Sequence, residues 1–262
     1  MFHLKLNSDA MIPAERQRKI LTQLKSQEVI SIAELADLLN VSHMTIRRDI
    51  EKLEKQGKVN SVSGGVQLTQ TIHSELSREM KITQCSEEKE LIGKLAASVI
   101  PVNATVYLDA GTTSLEVAHQ IAQRSDLLII TNDFSIAAFL MAHSSNDIYH
   151  TGGKVERDNQ STVGSKVADF LLSMNIDIAF ISTSSWSLKG LSTPNEDKVI
   201  VKRAIAKVSK IVYLISDASK YGKIASFHAL DIEKIDVVIT DASLAESAKL
   251  DLVEKGLEVL CP

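Results

Sequence analysis

Residues 41–50, Val41-Ser42-His43-Met44-Thr45-Ile46-Arg47-Arg48-Asp49-Ile50, decide how this chain is read. Ser42 is a helix-capping residue type. Behind it Met44, Ile46, Ile50 and Leu53 supply the apolar face of a helix running to about Gln56. His43, Thr45, Arg47 and Arg48 are left on or near the other face, and Gly57 suits the left-handed stop that ends a helix. Upstream, Ser31-Ile32-Ala33-Glu34 is a capping box opening a short helix through Leu39, with Ile32, Leu35, Ala36 and Leu39 as its apolar face. Further back, Pro13 suits a first helical turn, and Ile20, Leu21 and Leu24 have helical spacing. Downstream, Lys58–Val62 and Val66–Leu68 flank Ser63-Gly64-Gly65, which predicts a hairpin.

Helix, short helix, turn, helix and hairpin is the order of a winged helix-turn-helix, whose third helix reads the major groove of DNA with its N-terminal residues. That places Ser42, His43, Thr45, Arg47 and Arg48 toward DNA. A three-helix protein-interaction domain with two solvated arginines is the alternative. The order of the elements around the arginine pair weighs against it.

Composition sets outer bounds. At 262 residues, 44% hydrophobic and 24% charged, the chain has the make-up of a globular protein of two small domains or one large one. No apolar run nears the ~20 residues that span a bilayer. The opening, Met1-Phe2-His3-Leu4-Lys5-Leu6, is too short and mixed for a signal peptide. Cys85 and Cys261 cannot frame a disulfide fold or a zinc ribbon. The expectation is a cytoplasmic protein with no metal and no cofactor. Its net charge of −4 is unevenly held: residues 11–70 carry nine Lys/Arg against seven Asp/Glu, and residues 71–262 carry nineteen against twenty-five. A mildly basic head on an acidic body fits a protein that meets a polyanion with its head alone.

The body alternates. Apolar runs at Ala104–Leu108, Leu127–Thr131, Asp147–His150, Asp177–Ser182, Lys210–Ile215, Ile235–Thr240 and Leu257–Leu260 are separated by helical patterns. Those patterns are Ser114–Gln123, Phe134–His143, Thr162–Met174, Asp197–Val208 and Ser243–Leu250, with a further helix at Glu87–Ile100 in front. Near-continuous apolar strands between helices predict a mostly parallel α/β sheet covered on both faces. The polar stretch 69–86 reads as a linker, with His73 and Glu75 solvated. The expected division is therefore a head over 11–68, a linker over 69–86 and an α/β domain over 87–262.

In such sheets ligands bind beyond the carboxyl ends of the strands, and polar clusters stand there. They are Asp109-Ala110-Gly111-Thr112-Thr113-Ser114, Thr131-Asn132-Asp133, Thr151-Gly152-Gly153-Lys154 and Asp217-Ala218-Ser219-Lys220-Tyr221-Gly222. A glycine turn, a helix N-terminus, threonine hydroxyls and an ammonium group make an anion site. Each cluster alone also fits a plain cap or turn.

Residues 13–68 closely resemble the DNA-binding head of the DeoR family of bacterial transcription regulators. The resemblance rests on Arg16-Gln17-Arg18-Lys19-Ile20-Leu21, on Val41-Ser42 through Ile50, on Leu53 and Gly57, and on Ser63-Gly64-Gly65. It implies DNA contacts from the wing at Ser63, Gly64 and Gly65, although Ser63 stands where the family often has histidine. It also implies a start near Met11. The body is similar to the same family's effector domain, related in fold to ribose 5-phosphate isomerase and glucosamine-phosphate deaminase. The matching segments include Tyr107 through Thr113, Thr131-Asn132, Gly152-Gly153, Val163-Gly164, Lys202-Arg203, Asp217 through Gly222 and Val238 through Asp241. The resemblance implies a regulator, most simply a repressor of a carbohydrate or sugar-acid operon, controlled by a phosphorylated sugar. Asp109, Gly111, Thr112 and Thr113 would receive that effector, Asn132 and Lys220 would line it, Lys202 would help hold the anion, and Gly152 and Gly153 would complete the rim. Paired DNA half-sites imply a homodimer or homotetramer.

One departure narrows the ligand. After Asp177-Ile178-Ala179-Phe180-Ile181, many members carry a Gly-Ala-Asp-Gly-like segment, and here Ser182-Thr183-Ser184-Ser185-Trp186 follows. Less negative charge there suits a sugar acid phosphate, and Trp186 is either a rim packing residue or part of that change. The competing function is an isomerase or deaminase fused to a DNA-binding head. Such chemistry needs a carboxylate base. Its absence from 182–185 favours the regulator, while Glu196 and Asp197 keep the enzyme open.

Overall fold

A computed structural model of the chain describes residues 11–27, 29–62 and 64–262. They form two units divided between Thr69 and Gln70.

The first unit is α1 (Pro13–Ser26), α2 (Ile32–Leu39), α3 (His43–Lys55), β1 (Val59–Val62) and β2 (Gly65–Leu68), the two strands pairing antiparallel. The caps fall where the sequence places them. Ser31 Oγ accepts from Glu34 N at 3.1 Å and Ser42 Oγ from Thr45 N at 3.2 Å. Gly57 ends α3 at φ +71°. Ile46, Ile50 and Leu53 are buried, but Met44 is 59% exposed, against expectation. Two residues from Ile46, it sits about 200° around the helix. The fourth buried position on that face is Asp49, whose carboxylate is held by Arg16 Nε and, at 3.0 Å, by Gln17 Nε2, so an ion pair fastens α1 to α3. The wing is held close as well. Ile30 and Val66 exchange two backbone hydrogen bonds, and a Cβ at Gly65 would lie 2.3 Å from the Ile30 carbonyl oxygen.

The second unit runs β3 (Gln70–Ile72), α4 (Arg78–Thr83), α5 (Ser86–Ser98), β4 (Thr105–Leu108), α6 (Thr112–Ile121), β5 (Leu128–Thr131), α7 (Phe134–His143) and β6 (Asp147–His150). It continues through β7 (Lys154–Glu156), β8 (Ser161–Val163), α8 (Ser165–Leu172), β9 (Ile176–Ile181), β10 (Ser185–Ser187), β11 (Gly190–Thr193) and α9 (Asp197–Val208). The last elements are β12 (Ser209–Ile215), β13 (Lys223–Ala225), β14 (Phe227–Asp231), β15 (Val237–Ile239), α10 (Glu246–Glu254) and β16 (Glu258–Leu260).

The seven apolar runs become a seven-stranded parallel sheet of order β16-β15-β12-β9-β4-β5-β6. Over its five inner strands both faces are largely buried, which is why those strands lack polar alternation, whereas the edge strand β6 alternates exposed and half-buried residues. In β4, Val106 and Leu108 join one apolar cluster and Tyr107 the other. The chain winds outward from β4 through β5 to β6, then returns to lay β9 on the other side of β4. That reversal puts the topological switch point between β4 and β9.

Two expectations are corrected here. The stretch 69–86 is not a solvated linker: β3 pairs in parallel with β13, and α4 packs on the same unit through the buried Arg78. Its anchors are ion pairs, which apolar patterning does not register. The helix expected from Thr162 starts at Ser165, because Ser161–Val163 is strand β8.

Candidate functional site

In the first unit, capping by Ser42 fixes the start of α3 and sets which side chains face outward. His43, Arg47, Arg48, Lys52 and Lys55 are exposed along it, with Ser42 exposed at the cap. Thr45 is half-buried and its hydroxyl lies 2.9 Å from Ser42 Oγ, so these two polar groups partly answer each other. Gly64, at φ +91°, turns the wing and is exposed, whereas Gly65 is glycine because of its approach to Ile30. Ser63 lies outside the described residues.

In the second unit a cleft of about 750 Å³, its open mouth included, lies at the carboxyl ends of β4 and β9, the switch point derived above. Lys81, Lys89, Lys198, Lys202 and Lys220 line it against Glu75, Asp109 and Asp217. Five ammonium groups facing three carboxylates make an anion-attracting cleft in an acidic unit.

The β4–α6 turn forms its floor. Asp109 is 4% exposed; Oδ2 accepts from Lys202 Nζ at 2.7 Å and from Ser182 N at 3.2 Å, and Oδ1 from Ala110 N at 3.0 Å. Lys202 also donates to Ser182 O at 2.6 Å, so one buried pair joins the ends of β4 and β9 to α9. Gly111 is the N-cap of α6 and offers no side chain to cap it. The leading N–H groups of α6 therefore face the cleft without a capping side chain, beside Thr112 and Thr113. Gly111 is extended, and its need for glycine is steric: a Cβ would lie 2.4 Å from Ser182 Oγ and 2.9 Å from Ser182 Cβ. Lys220 is tied only loosely, 3.9 Å from Asp217 Oδ2. Ser184 Oγ is buried on the cleft wall with no hydrogen-bond partner among the described residues.

Asn132 lines the cleft but holds the turn. Its Oδ1 accepts from Tyr107 Oη at 2.8 Å and Ala110 N at 3.0 Å, and its Nδ2 donates to Thr162 O at 2.9 Å. Gly152 and Gly153 do not join the lining. They follow β6, the edge strand two positions from the switch point, and are exposed there. Trp186 is fully buried, packed edge-on against Tyr221 with centroids 4.8 Å apart, and is a core residue. Glu196 and Asp197 also lie off the cleft wall; the Asp197 carboxylate pairs with Lys154 at 2.6 Å.

The presumed linker supplies what the sequence reading missed. Glu75 is not solvated: its carboxylate takes Lys198 at 2.8 and 2.9 Å and Lys81 at 2.6 Å. Burial raises its pKa, but Lys198 and Lys81 outweigh that and hold it well below the usual carboxylate range. Lys89 donates to the carbonyls of Lys81 and Gln84, and burial pulls its own pKa down. Arg78, 5% exposed, reaches Asp133 Oδ2 at 2.7 Å, and the same oxygen accepts from Gly111 N at 3.1 Å. The only sequence signal was negative: 69–86 is charged yet rich in neither glycine nor proline.

Residues 16–71 match the family model described as DeoR-like helix-turn-helix domain, and residues 84–242 the model described as DeoR C terminal sensor domain. A relative from Escherichia coli (strain K12), named "Uncharacterized HTH-type transcriptional regulator YgbI", is 50% identical over 95% of this chain and 98% of its own length. The "Glycerol-3-phosphate regulon repressor" of the same strain is 33% identical over 96% of this chain and 100% of its own. Among solved structures, ribose 5-phosphate isomerase A from Methanocaldococcus jannaschii aligns over 53% of this chain and 55% of its own, at 14% identity and a TM-score of 0.40.

Proposed function

The chain belongs to the DeoR family and is a DNA-binding transcription regulator, not an enzyme; from that premise we propose that a phosphorylated sugar or sugar acid, bound in the cleft of the second unit, sets its affinity for operator DNA. The observation that carries this reading is the cleft's composition: five lysines and the N-terminus of α6, which lacks a capping side chain, converge at the switch point of the sheet. The phosphate lies against Gly111, Thr112 and Thr113, where helix N–H groups and the helix dipole favour an anion. Lys220 and Lys89 close on it as charge-assisted donors. Asp109 and Asn132 serve as supports of the turn, and Ser184 offers its hydroxyl to the sugar. The regulated genes are those of carbohydrate or sugar-acid breakdown, repression is the simplest mode, and a homo-oligomer presents two α3 helices to paired half-sites.

DNA contact is assigned to Ser42, His43, Thr45, Arg47 and Arg48 on α3, and to the wing at Ser63, Gly64 and Gly65. Arg47→Ala and Arg48→Ala are expected to weaken binding to a duplex selected in vitro by the full chain without changing its unfolding temperature. A base-reading arginine costs about 1–3 kcal/mol and relaxes specificity at one position. A phosphate-contacting one weakens all sequences alike and lowers the salt slope by about 1. Salt titrations by fluorescence anisotropy read both, and parental curves for both variants would contradict the assignment.

A further inference from the structure

One carboxylate in the cleft has no part in the reading above. Glu75 Oε2 accepts from Lys81 Nζ at 2.6 Å, Lys198 Nζ at 2.9 Å and Asn159 Nδ2 at 2.9 Å; Oε1 accepts from Lys198 Nζ at 2.8 Å and Thr193 Oγ1 at 3.4 Å. The side chains of Glu75, Lys81 and Lys198 are only 12%, 18% and 14% exposed, and all three line the cleft. Lys198 stands one helical turn before Lys202 on α9, so one helix face sends two ammonium groups into the same space. They are answered differently. Lys202 meets Asp109, rooted directly behind β4, whereas Lys198 meets a residue of the irregular stretch between β3 and α4, beside the exposed His73 and Ser74.

We propose that Lys81 and Lys198, with Asn159, form a second anion subsite of the cleft, filled by the chain's own Glu75 until an effector carrying a carboxylate besides its phosphate displaces it. The proposal rests on the reading of the cleft as a phosphate-ester site and adds the class of ester: a phosphorylated sugar acid. The group now in the subsite fixes the chemistry. A planar carboxylate already takes both lysines and the amide there, and exchange for another carboxylate leaves the charge balance unchanged. A neutral hydroxymethyl group in its place would leave two buried ammonium groups unanswered, a strongly unfavourable outcome. The exchange also frees backbone three residues beyond β3, the strand that follows Thr69 in the chain.

Calorimetric titration of the full chain tests this with phosphogluconate and phosphoerythronate, each beside its carboxylate-free counterpart, sorbitol phosphate and erythritol phosphate. At least one acid is expected to bind the parent about tenfold or more tighter than its alditol partner, the scale of one hydrogen bond to a charged group. Lys198→Met is expected to erase that preference by weakening the acid more than its alditol partner, because both lose one of the five ammonium groups of the cleft and the acid alone loses the subsite. Glu75→Gln, which removes the internal competitor at constant volume, is expected to tighten acid binding by about tenfold. Equal affinity for acid and alditol in the parent, or equal weakening of both by Lys198→Met, would overturn the subsite while the phosphate site stands. Binding of neither class would overturn the phosphate reading itself.

Discussion

Arg78→Met is expected to lower the stability of the second unit by about 3–5 kcal/mol, the usual cost of leaving one partner of a buried ion pair alone. Arg78 and Asp133 are 5% and 0% exposed, with Nη1 and Oδ2 2.7 Å apart. Asp133 also caps α7, accepting from Ser135 N at 2.8 Å and Ile136 N at 3.0 Å, and steadies Gly111 N at 3.1 Å. The substitution therefore loosens a helix start and the floor of the cleft together. Burial already holds the Asp133 carboxyl above its ordinary pKa, against the pull of Arg78 and the two amides. Without Arg78 it rises further above the unfolded value of about 3.9. An acid with a raised folded pKa gives stability that is complete below the unfolded pKa and lost as pH rises through the folded one. The deficit is therefore expected to be larger at pH 8 than at pH 5. Urea unfolding at both pH values reads it, with the exposed Arg157→Met as a control expected within about 0.5 kcal/mol of the parent.

Lys202→Met is expected to cost a similar 3–5 kcal/mol, or about 2–4 °C of melting temperature per kcal/mol, and to abolish effector binding as well. The variant leaves Asp109, 4% exposed, with the amides of Ser182 and Ala110 and the Tyr107 hydroxyl but no countercharge from Lys202, and it releases the Ser182 carbonyl that Lys202 holds at 2.6 Å. It also leaves an uncompensated carboxylate beside the place assigned to the phosphate. The double variant Lys202→Met/Asp109→Asn removes both charges and is expected to regain more than half of the lost stability, but not effector binding. Full stability in the single variant, read by thermal unfolding, would mean that the pair does not brace the switch point.

The parallel sheet was legible because its five inner strands are largely buried and read, with the two edge strands, as short and near-continuous apolar runs. Their order was not, since nothing local in a strand says which neighbour it will take. Strands of three or four residues such as β7, β8 and β10 are too short to show a period of two. Residues 69–86 escaped for a different reason. Their partners lie far along the chain, 55 residues for Arg78 with Asp133 and 123 for Glu75 with Lys198, and long-range ion pairs leave no periodic trace. Asp49 left one: a charged residue in the apolar strip of Ile46, Ile50 and Leu53 calls for a buried partner, and Arg16 supplies it. In the cleft, Asp109, Gly111, Thr112, Thr113, Asn132 and Lys220 stand behind strand ends, as the rule for open α/β sheets directs, whereas Lys202, on α9, came from the family resemblance alone. Gly152 and Gly153 met the same rule but follow the edge strand, and only the strand order separates them from the rest.

DNA affinity of the full chain, measured with and without a compound that fills the cleft, is the direct test of the coupling between cleft and operator. The compound is chosen by thermal shift, since a ligand bound to the native state alone raises the melting temperature. Anisotropy titrations at one fixed salt concentration then compare the parent with Gly111→Val, whose side chain must displace Ser182 from the cleft floor. The compound is expected to change the parent's affinity for its selected duplex by about tenfold or more, a coupling of about 1.4 kcal/mol. Gly111→Val is expected to bind the same duplex like the parent and to ignore the compound. Parental DNA affinity that is unchanged by a compound demonstrably bound in the cleft would contradict control of DNA binding by the cleft.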